Sequence, residues 1–433
     1  MASGSRKICL KGRFFLNNMP QKTFSFISLG CFRNTYDSQA IAQRFSDSGY
    51  RFVGEGEPCD TLVVNTCGFI TDAKKESLGV IEEAIGLKKK RKVKQIIVVG
   101  CLVERYRKDL EKSFPQVDEW RGVEEFNRKF KPGKNVFLPK HIGFLKVCEG
   151  CFNHCSYCAI PLIKGKFRSR PLKELIKEAR FMERSGVREL NIIGQDITGW
   201  GRDLGAKQDL TLLVRGILKN TKNIPWIRMI YTHPKHFSHS LIDLIAGEPR
   251  ICKYIDLPIQ HINDRILKLM NRGVTKKEIK TLIETIRKRI PGCHIRTSLI
   301  VGFPSETQKE FNELVDFVEE IKFEKLGVFT YSREEGTPAF RYSGQIHQKT
   351  KEARRDAMMT IQKEISLKVN EKFIDKETTV LVDEKNKDSC IGRTQYDAYE
   401  VDGAVILPAG GFIPGKFYKV TVTDALEYDL VAG

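Results

Sequence analysis

The chain lacks any apolar run able to span a bilayer. Its longest, such as TLVV and IIVVG, fall far short of the ~20 residues a membrane helix needs, so no transmembrane segment is expected. A secretory signal is also missing. Residues 1–22 hold five Lys/Arg and no Asp or Glu, a transit-peptide-like composition, but contain neither an apolar signal core nor a clear amphipathic helix. An expression leader or extended start, with Met19 as an alternative start, accounts for them equally well, and they are set aside from fold reasoning. Cysteine is sparse, at twelve in 433 residues. With no secretion signal, this argues against a disulfide scaffold and for metal-binding or catalytic use. Acidic residues are outnumbered, 54 against 73 Lys and Arg, for a net charge of +19. That balance fits anionic partners such as RNA or ribosomes, or simply a well-solvated basic surface. Hydrophobic residues make up 41% of the chain, enough for a sizeable core spread over two to four domains.

Three regions follow one another. The first, 23–137, alternates short, almost continuously apolar strands with helical patterns, as a buried parallel sheet does. FSFISL ends in Gly30-Cys31, TLVVN in Thr66-Cys67-Gly68 and QIIVVG in Gly100-Cys101. Helices are expected over 37–48 and 73–87. Three strands thus place a cysteine just past their carboxyl ends, the edge where open α/β sheets bind ligands. The spacings of 36 and 34 residues are one strand–helix unit each. Cys31, Cys67 and Cys101 therefore read as a shared metal site, against the alternative of three unrelated buried thiols.

The second region, 138–367, repeats strand then helix six times. Strands are expected at 144–147, 190–194, 227–231, 254–259, 295–302 and 325–331, with helices opening at Pro171 and covering 275–290 and 304–320. This pattern predicts a parallel barrel or part of one, with chemistry at the carboxyl-end loops. A charged connecting helix closes it. The third region, 368–433, switches to period-two strands punctuated by Gly403, Gly410-Gly411 and Pro414-Gly415, and reads as a small antiparallel barrel. It carries eight Lys/Arg and twelve Asp/Glu, a net of −4 that leaves +23 on the rest. An acidic barrel suits a basic partner better than a phosphate backbone. The KKKRKVK run, Lys88–Lys94, reads as a solvated loop, with RNA contact as the alternative.

The densest chemistry is CEGCFNHCSYC, Cys148–Cys158. Paired zinc knuckles need a longer spacer than the three residues between its inner cysteines. The bacterial ferredoxin run does not match either. Setting Cys148 aside leaves C-x3-C-x2-C with an aromatic before the last cysteine: Cys151, Cys155, Tyr157 and Cys158.

This motif, on the loop after the first barrel strand, resembles the signature of the radical S-adenosylmethionine (SAM) enzymes. The resemblance implies that three thiolates hold three irons of a 4Fe-4S cluster. The fourth iron chelates SAM, and an electron passed to SAM yields a 5′-deoxyadenosyl radical. Over residues 23–433 the chain further resembles the methylthiotransferases. It would then have an N-terminal parallel α/β domain, a central partial (βα)6 radical SAM barrel and a C-terminal barrel of the TRAM type. In that family Cys31, Cys67 and Cys101 hold a second 4Fe-4S cluster, which carries the sulfur, and two SAM molecules are used. SLGCFRNTYDS, YIDLPIQHINDRIL, YSREEGTPA and RTQYDAYEVDG look most like the branch that methylthiolates an aspartate of small-subunit ribosomal protein twelve. The tRNA adenosine branch is the alternative within the class. A non-catalytic iron–sulfur or zinc RNA-binding module is the alternative outside it.

By the same resemblance, Gly194-Gln195-Asp196 follows the second barrel strand where relatives contact SAM, and Tyr157, Arg296 and Val301 are further SAM candidates. Gln260 is a candidate for SAM or substrate. His233 and His261, at strand ends, read equally as structural or functional. Cys148 is expected to be a bystander, since a fourth thiol would block SAM. Cys59 is placed in a loop before the second strand of the first region, and Cys252, Cys293 and Cys390 are taken as packed. The expected partners are the basic ribosomal protein, alone or within the ribosome, a reductase such as flavodoxin or ferredoxin, and a sulfur donor. The expected compartment is the cytoplasm.

Overall fold

The computed structural model describes residues 21–54, 56–123, 137–205 and 208–433. The leader 1–22 lies almost wholly outside them. Elements β1 (Thr23–Ser28), α1 (Phe32–Asp47), β2 (Arg51–Phe52), β3 (Cys59–Thr66), α2 (Thr71–Lys89), β4 (Val93–Gly100), α3 (Cys101–Ser113) and β5 (Glu119–Arg121) build the first unit. Its sheet is parallel throughout, in the order β2-β1-β3-β4-β5. Phe24, Val63, Val64, Ile96 and Val98 are buried on its two faces, as continuous apolar strands under helices on both sides require. Cys59 opens β3 and is buried. The loop expected there is absent because Cys59 pairs with Val93 of β4. Lys88–Lys94 spans the end of α2, a turn at Arg91 and the start of β4. It lies at the sheet edge away from the three cysteines, with Lys88 and Lys94 paired to Asp118 and Asp60.

Strands β6 (Ile142–Lys146), β7 (Cys148–Glu149), β8 (Arg168–Ser169), β9 (Glu189–Ile193), β10 (Trp226–Met229), β11 (Tyr254–Asp256), β12 (His294–Val301) and β13 (Lys325–Thr330) follow. Three-stranded parallel sheets β10-β9-β6 and β11-β12-β13 are joined where Ile227 N–H donates to the Arg250 carbonyl and Cys252 N–H to that of Ile227. The result is six parallel strands in chain order, the predicted partial barrel. Leu145, Leu190, Ile192, Ile255, Ile295, Leu299 and Val301 face the covering helices and form the main core.

Strands β14 (Glu377–Lys385), β15 (Ser389–Arg393), β16 (Val405–Pro408), β17 (Phe417–Ala425) and β18 (Leu430–Ala432) close a five-stranded barrel. The predicted strand over YEVDGAVIL is confined to β16, because Arg393–Asp402 is used elsewhere. This segment docks on the amino-terminal ends of the barrel strands. Arg393 pairs with Glu189 and Asp383, Asp397 with Lys325, and Asp402 accepts from Tyr254 and faces Arg296. The acidic surplus is thus partly internal. Setting aside Asp383, Asp397, Asp402 and Arg393 leaves nine acidic and seven basic residues, and the joint sits at the barrel end opposite the cysteines.

The first unit docks on the other end. Asp37 of α1 meets Lys146 at the end of β6 and Lys164, while Tyr36 donates to Glu178. After β13, Glu334 of the EEG segment pairs with buried Arg105 and accepts from Thr71, making it a clamp between units. Phe32 and Tyr36 from one side and Leu381 and Ala398 from the other pack with lumen residues Phe144, Ile193, Ile230 and Tyr254. The carboxyl-end loops and the cysteine edge of the first sheet are thereby brought face to face.

Candidate functional site

Cys31, Cys67 and Cys101 leave the ends of β1, β3 and β4 and converge. The thiols of Cys31 and Cys67 both act on that of Cys101, and a Cβ built on Gly30 would lie 3.1 Å from Cys67 Sγ. Gly30 has φ +89°, so only glycine combines this turn with that approach. None of the helices starting here (α1, α2, α3) has a side-chain cap. Helices farther round the barrel, 276–289 and 308–321, carry full capping boxes from Thr275 with Glu278 and Thr307 with Glu310. The N–H groups of Arg33 and Asn34 serve Cys31 and that of Phe69 serves Cys67, while the Thr71 N–H that opens α2 donates to Ser332; a helix N-terminus favours negative charge.

This electrostatic setting differs from thiol to thiol. Burial raises Cys31, but Arg33 and the N–H groups of Asn34 and Arg33 more than offset it and bring the thiol below its ordinary value. Burial raises Cys67 and pushes Cys101 up to about 12. In the second triad burial lifts Cys151 to about 11 and Cys158 to about 12. Cys155 Sγ accepts from Arg272 Nη1 at 3.5 Å, and Cys151 Sγ from the Asn153 N–H at 3.4 Å. All six are free thiols. Each triad offers three soft donors with positive or N–H partners around them, a donor set that suits an iron–sulfur cluster with one iron left open. Because most of these thiols are protonated when free, cluster uptake releases protons.

Cys148 stands apart. It is fully buried, its thiol donates to the Asp196 carbonyl at 3.6 Å, and a Cβ on Gly194 would meet its sulfur at 2.5 Å. The glycine expected to admit a ligand thus admits Cys148. Gln195 donates to Glu149 at 3.1 Å, and its buried Oε1 has no partner among the described residues. Asp196 is a hub: one oxygen caps Thr198, the other accepts from Asn153 at 2.6 Å, and burial holds its carboxyl above the usual range. Tyr157 packs against the apolar cluster that holds Met270, Phe303 and Tyr331.

Two candidates have protein surroundings of their own. The Val301 side chain is completely buried in the helix-facing core. Arg296 is tied to Asp256 at 3.2 Å and Asp402 at 3.4 Å and serves the joint with the third domain. Gln260, in left-handed backbone at φ +71°, bridges to Leu299 of β12. His233 and His261 each accept a backbone N–H through Nδ1, while both Nε2 atoms are buried without a partner among the described residues. His233 also lies with Asp196 and His236 in a group whose ligand atoms are all within 4.8 Å of one another.

Sequence reasoning missed Arg33, Tyr231, Asn153 and Arg272, which line the space around the triads, and the buried quartet Asp37, Lys146, Glu149 and Lys164. Arg33 and Asp37 stand in the same SLGCFRNTYDS stretch as Cys31, Asn153 stands inside CFNHC, and Arg272 shares no local motif with them.

The fold and site define a radical SAM enzyme. The radical SAM superfamily profile matches residues 145–318, an uncharacterised family designated UPF0004 matches 23–122, and the TRAM domain matches 374–433. Among solved structures, the radical SAM methyltransferase TsrM of Kitasatospora setae shares the fold, with a TM-score of 0.54 at 14% identity over 74% of each chain. The chain is 40% identical to the ribosomal protein uS12 methylthiotransferase RimO of Chlorobaculum parvum over 96% of its own length and 97% of that protein. It is 41% identical to the RimO of Clostridioides difficile over 93% and 97%, and 40% identical to that of Bacteroides fragilis over 95% and 99%. The chain belongs to the RimO family of ribosomal protein uS12 methylthiotransferases.

Proposed function

We propose that this chain inserts sulfur into a C–H bond at the β-carbon of an aspartate of ribosomal protein uS12 and methylates it, giving 3-methylthioaspartate. The reading is supported by two cysteine triads that both come near the guanidinium of Arg33, in a chain alike in sequence to RimO proteins over nearly its whole length.

In this reading Cys151, Cys155 and Cys158 hold the radical SAM cluster, and Cys31, Cys67 and Cys101 hold the second cluster. When bound, the clusters and SAM supply hydrogen abstraction, the sulfur and the methyl group. The protein's own groups hold and shield them. Gln195 and Asp196 offer unfilled or buried polar atoms beside the second triad, where the amino and carboxylate groups of SAM are polar enough to need partners. The Gly194 backbone and Tyr157 are the further candidates for that wall. Asn153 links Asp196 to Cys151 and holds the loop in place as an outer-shell partner. The enzyme works in the cytoplasm, where uS12 is at hand, with electrons from a flavodoxin- or ferredoxin-type reductase and sulfur from a separate donor. Among the described residues no helix is long and apolar enough to cross a membrane.

Mass spectrometry of uS12 from a strain lacking this gene tests the reading. Loss of a methylthio group from an aspartate, restored by the gene, is expected. An unchanged uS12 with loss of a methylthio group from tRNA would overturn it.

A further inference from the structure

Arg33 is a cation without a carboxylate. Most other arginine side chains shut away from water are matched: Arg105 with Glu334, Arg228 with Glu189, Arg354 with Glu306 and Arg393 with Asp383. Buried Arg272 also has no ion pair among the described residues, but its two Nη atoms are both taken, by Cys155 Sγ and the Pro258 carbonyl. Arg33 has no ion pair among the described residues. Its Nε donates to Cys31 Sγ at 3.3 Å and its Nη1 to the Gly194 carbonyl at 3.3 Å. Its Nη2 makes no hydrogen bond among the described residues. The guanidinium acts on Cys31 and Cys101 in one triad and on Cys158 in the other. It therefore lies between them, attached to the second barrel strand's loop on one side and to a candidate cluster ligand on the other.

A second feature holds it there. Tyr231, just past β10, lies with its ring centroid 4.5 Å from the guanidinium carbon. Its backbone has φ +69°, an uncommon and costly conformation for a bulky residue. The surroundings impose it, with Tyr231 N–H donating to Asp256 at 2.8 Å and its carbonyl accepting from Ile197 N–H at 3.0 Å. Strain of this kind, spent on fixing a stacked arginine, is the mark of a ligand clamp.

We propose that Arg33 is the specificity residue that binds the side-chain carboxylate of the substrate aspartate between the two triads. The inference rests on the uS12 reading above. Guanidinium stays charged at any working pH and its planar fork matches a carboxylate. Nη2 and the second hydrogen of Nη1 form the open edge, since Nε and one Nη1 hydrogen are taken. Bound there, an aspartate would have its β-carbon one bond from the clamped carboxylate and within the space both triads face. An amide or a nucleobase at the same place would leave the charge unmatched.

Binding of purified uS12 to the anaerobically reconstituted protein, followed by fluorescence anisotropy, tests this. Two forms of uS12 are compared: the native one, and one with the aspartate identified as modified changed to asparagine. The native enzyme should prefer the aspartate form by about 10- to 100-fold, the worth of one charge-assisted hydrogen-bonded contact. Arg33→Gln should bind both forms alike while keeping its full iron content, and Arg33→Lys should retain part of the preference. A native enzyme indifferent to the change, an Arg33→Gln protein that still discriminates, or loss of the first triad's iron in both variants would each overturn the inference. A uS12 never methylthiolated by the native enzyme strikes the underlying reading. A methylthiolated uS12 with no Arg33-dependent preference strikes this inference alone.

Discussion

Asp37→Asn tests how the first domain is held over the barrel. Asp37, Lys146, Lys164 and Glu149 form a buried quartet with two charges of each sign. Asp37 accepts from Lys146 and from Lys164 at 3.0 Å, and Glu149 from Lys146 at 2.6 Å, with Lys164 3.4 Å away. Both lysine side chains are at most 5% exposed. The substitution is nearly isosteric, so it removes charge and leaves packing, and one positive charge is stranded out of water. Breaking a buried pair in this way costs about 3–5 kcal/mol, a factor of roughly 10² to 10⁴ in the docking equilibrium. Hydrogen–deuterium exchange should show the loss as faster exchange along residues 32–47, and urea unfolding as a lower midpoint. The double variant Asp37→Asn/Lys146→Met leaves Lys164 with Glu149, one charge of each sign, and should recover most of the loss. An Asp37→Asn protein within about 0.5 kcal/mol of the native one, or a double variant showing the plain sum of the two single effects, would refute the reasoning. The pH dependence has a definite sign. Burial raises the Glu149 carboxyl, but Lys146 and Lys164 outweigh it and hold it at about 2, against an ordinary 4.5. Its contribution is therefore complete above about pH 5 and lost as pH falls toward 2. Lys164 is raised above its ordinary 10.5, so its contribution is complete throughout the neutral range. Docking should be level from about pH 5 to 10 and weaken in acid.

Cys67→Ser should lower iron after anaerobic reconstitution from about eight to about four per chain, measured by colorimetric iron assay. Cys151→Ser should abolish SAM cleavage, followed by chromatography of 5′-deoxyadenosine, whereas Cys148→Ser should leave both readouts unchanged. In the cluster-free protein at neutral pH, iodoacetamide should label Cys31 before Cys67, Cys101, Cys151 or Cys158. Thiolate, not thiol, reacts, and Cys31 alone of these is shifted downward; mass spectrometry of the labelled peptides checks the order. Arg393→Ala should destabilise the joint with the third domain by about 3–5 kcal/mol in urea unfolding and leave iron content intact, because Arg393 sits at the barrel end opposite the triads.

What the sequence made legible and what it hid divide along a physical line. Strand ends and metal-ligand spacing are local patterns. The strands before Cys31, Cys67 and Cys101 and the six barrel strands were therefore readable from periodicity, and the third barrel's character from its period-two segments. Whether a charged side chain faces a ligand or another domain is not local. Asp397, Asp402 and Glu334 looked like acidic surface in a barrel and a loop, yet the first two hold the third domain to Lys325 and Tyr254, and Glu334 clamps Arg105 of the first. Arg296 reads as a cofactor candidate by its place on a barrel strand. That it also pairs with Asp402, about a hundred residues downstream, is not legible locally. The same reasoning in reverse makes Arg33 informative. Buried Arg228, Arg354 and Arg393 take carboxylates from distant segments, and Arg272 has both Nη atoms filled by Cys155 and the Pro258 carbonyl. Arg33, between two thiol triads, keeps an edge that nothing in the chain fills, and that edge is where a carboxylate of another molecule would bind.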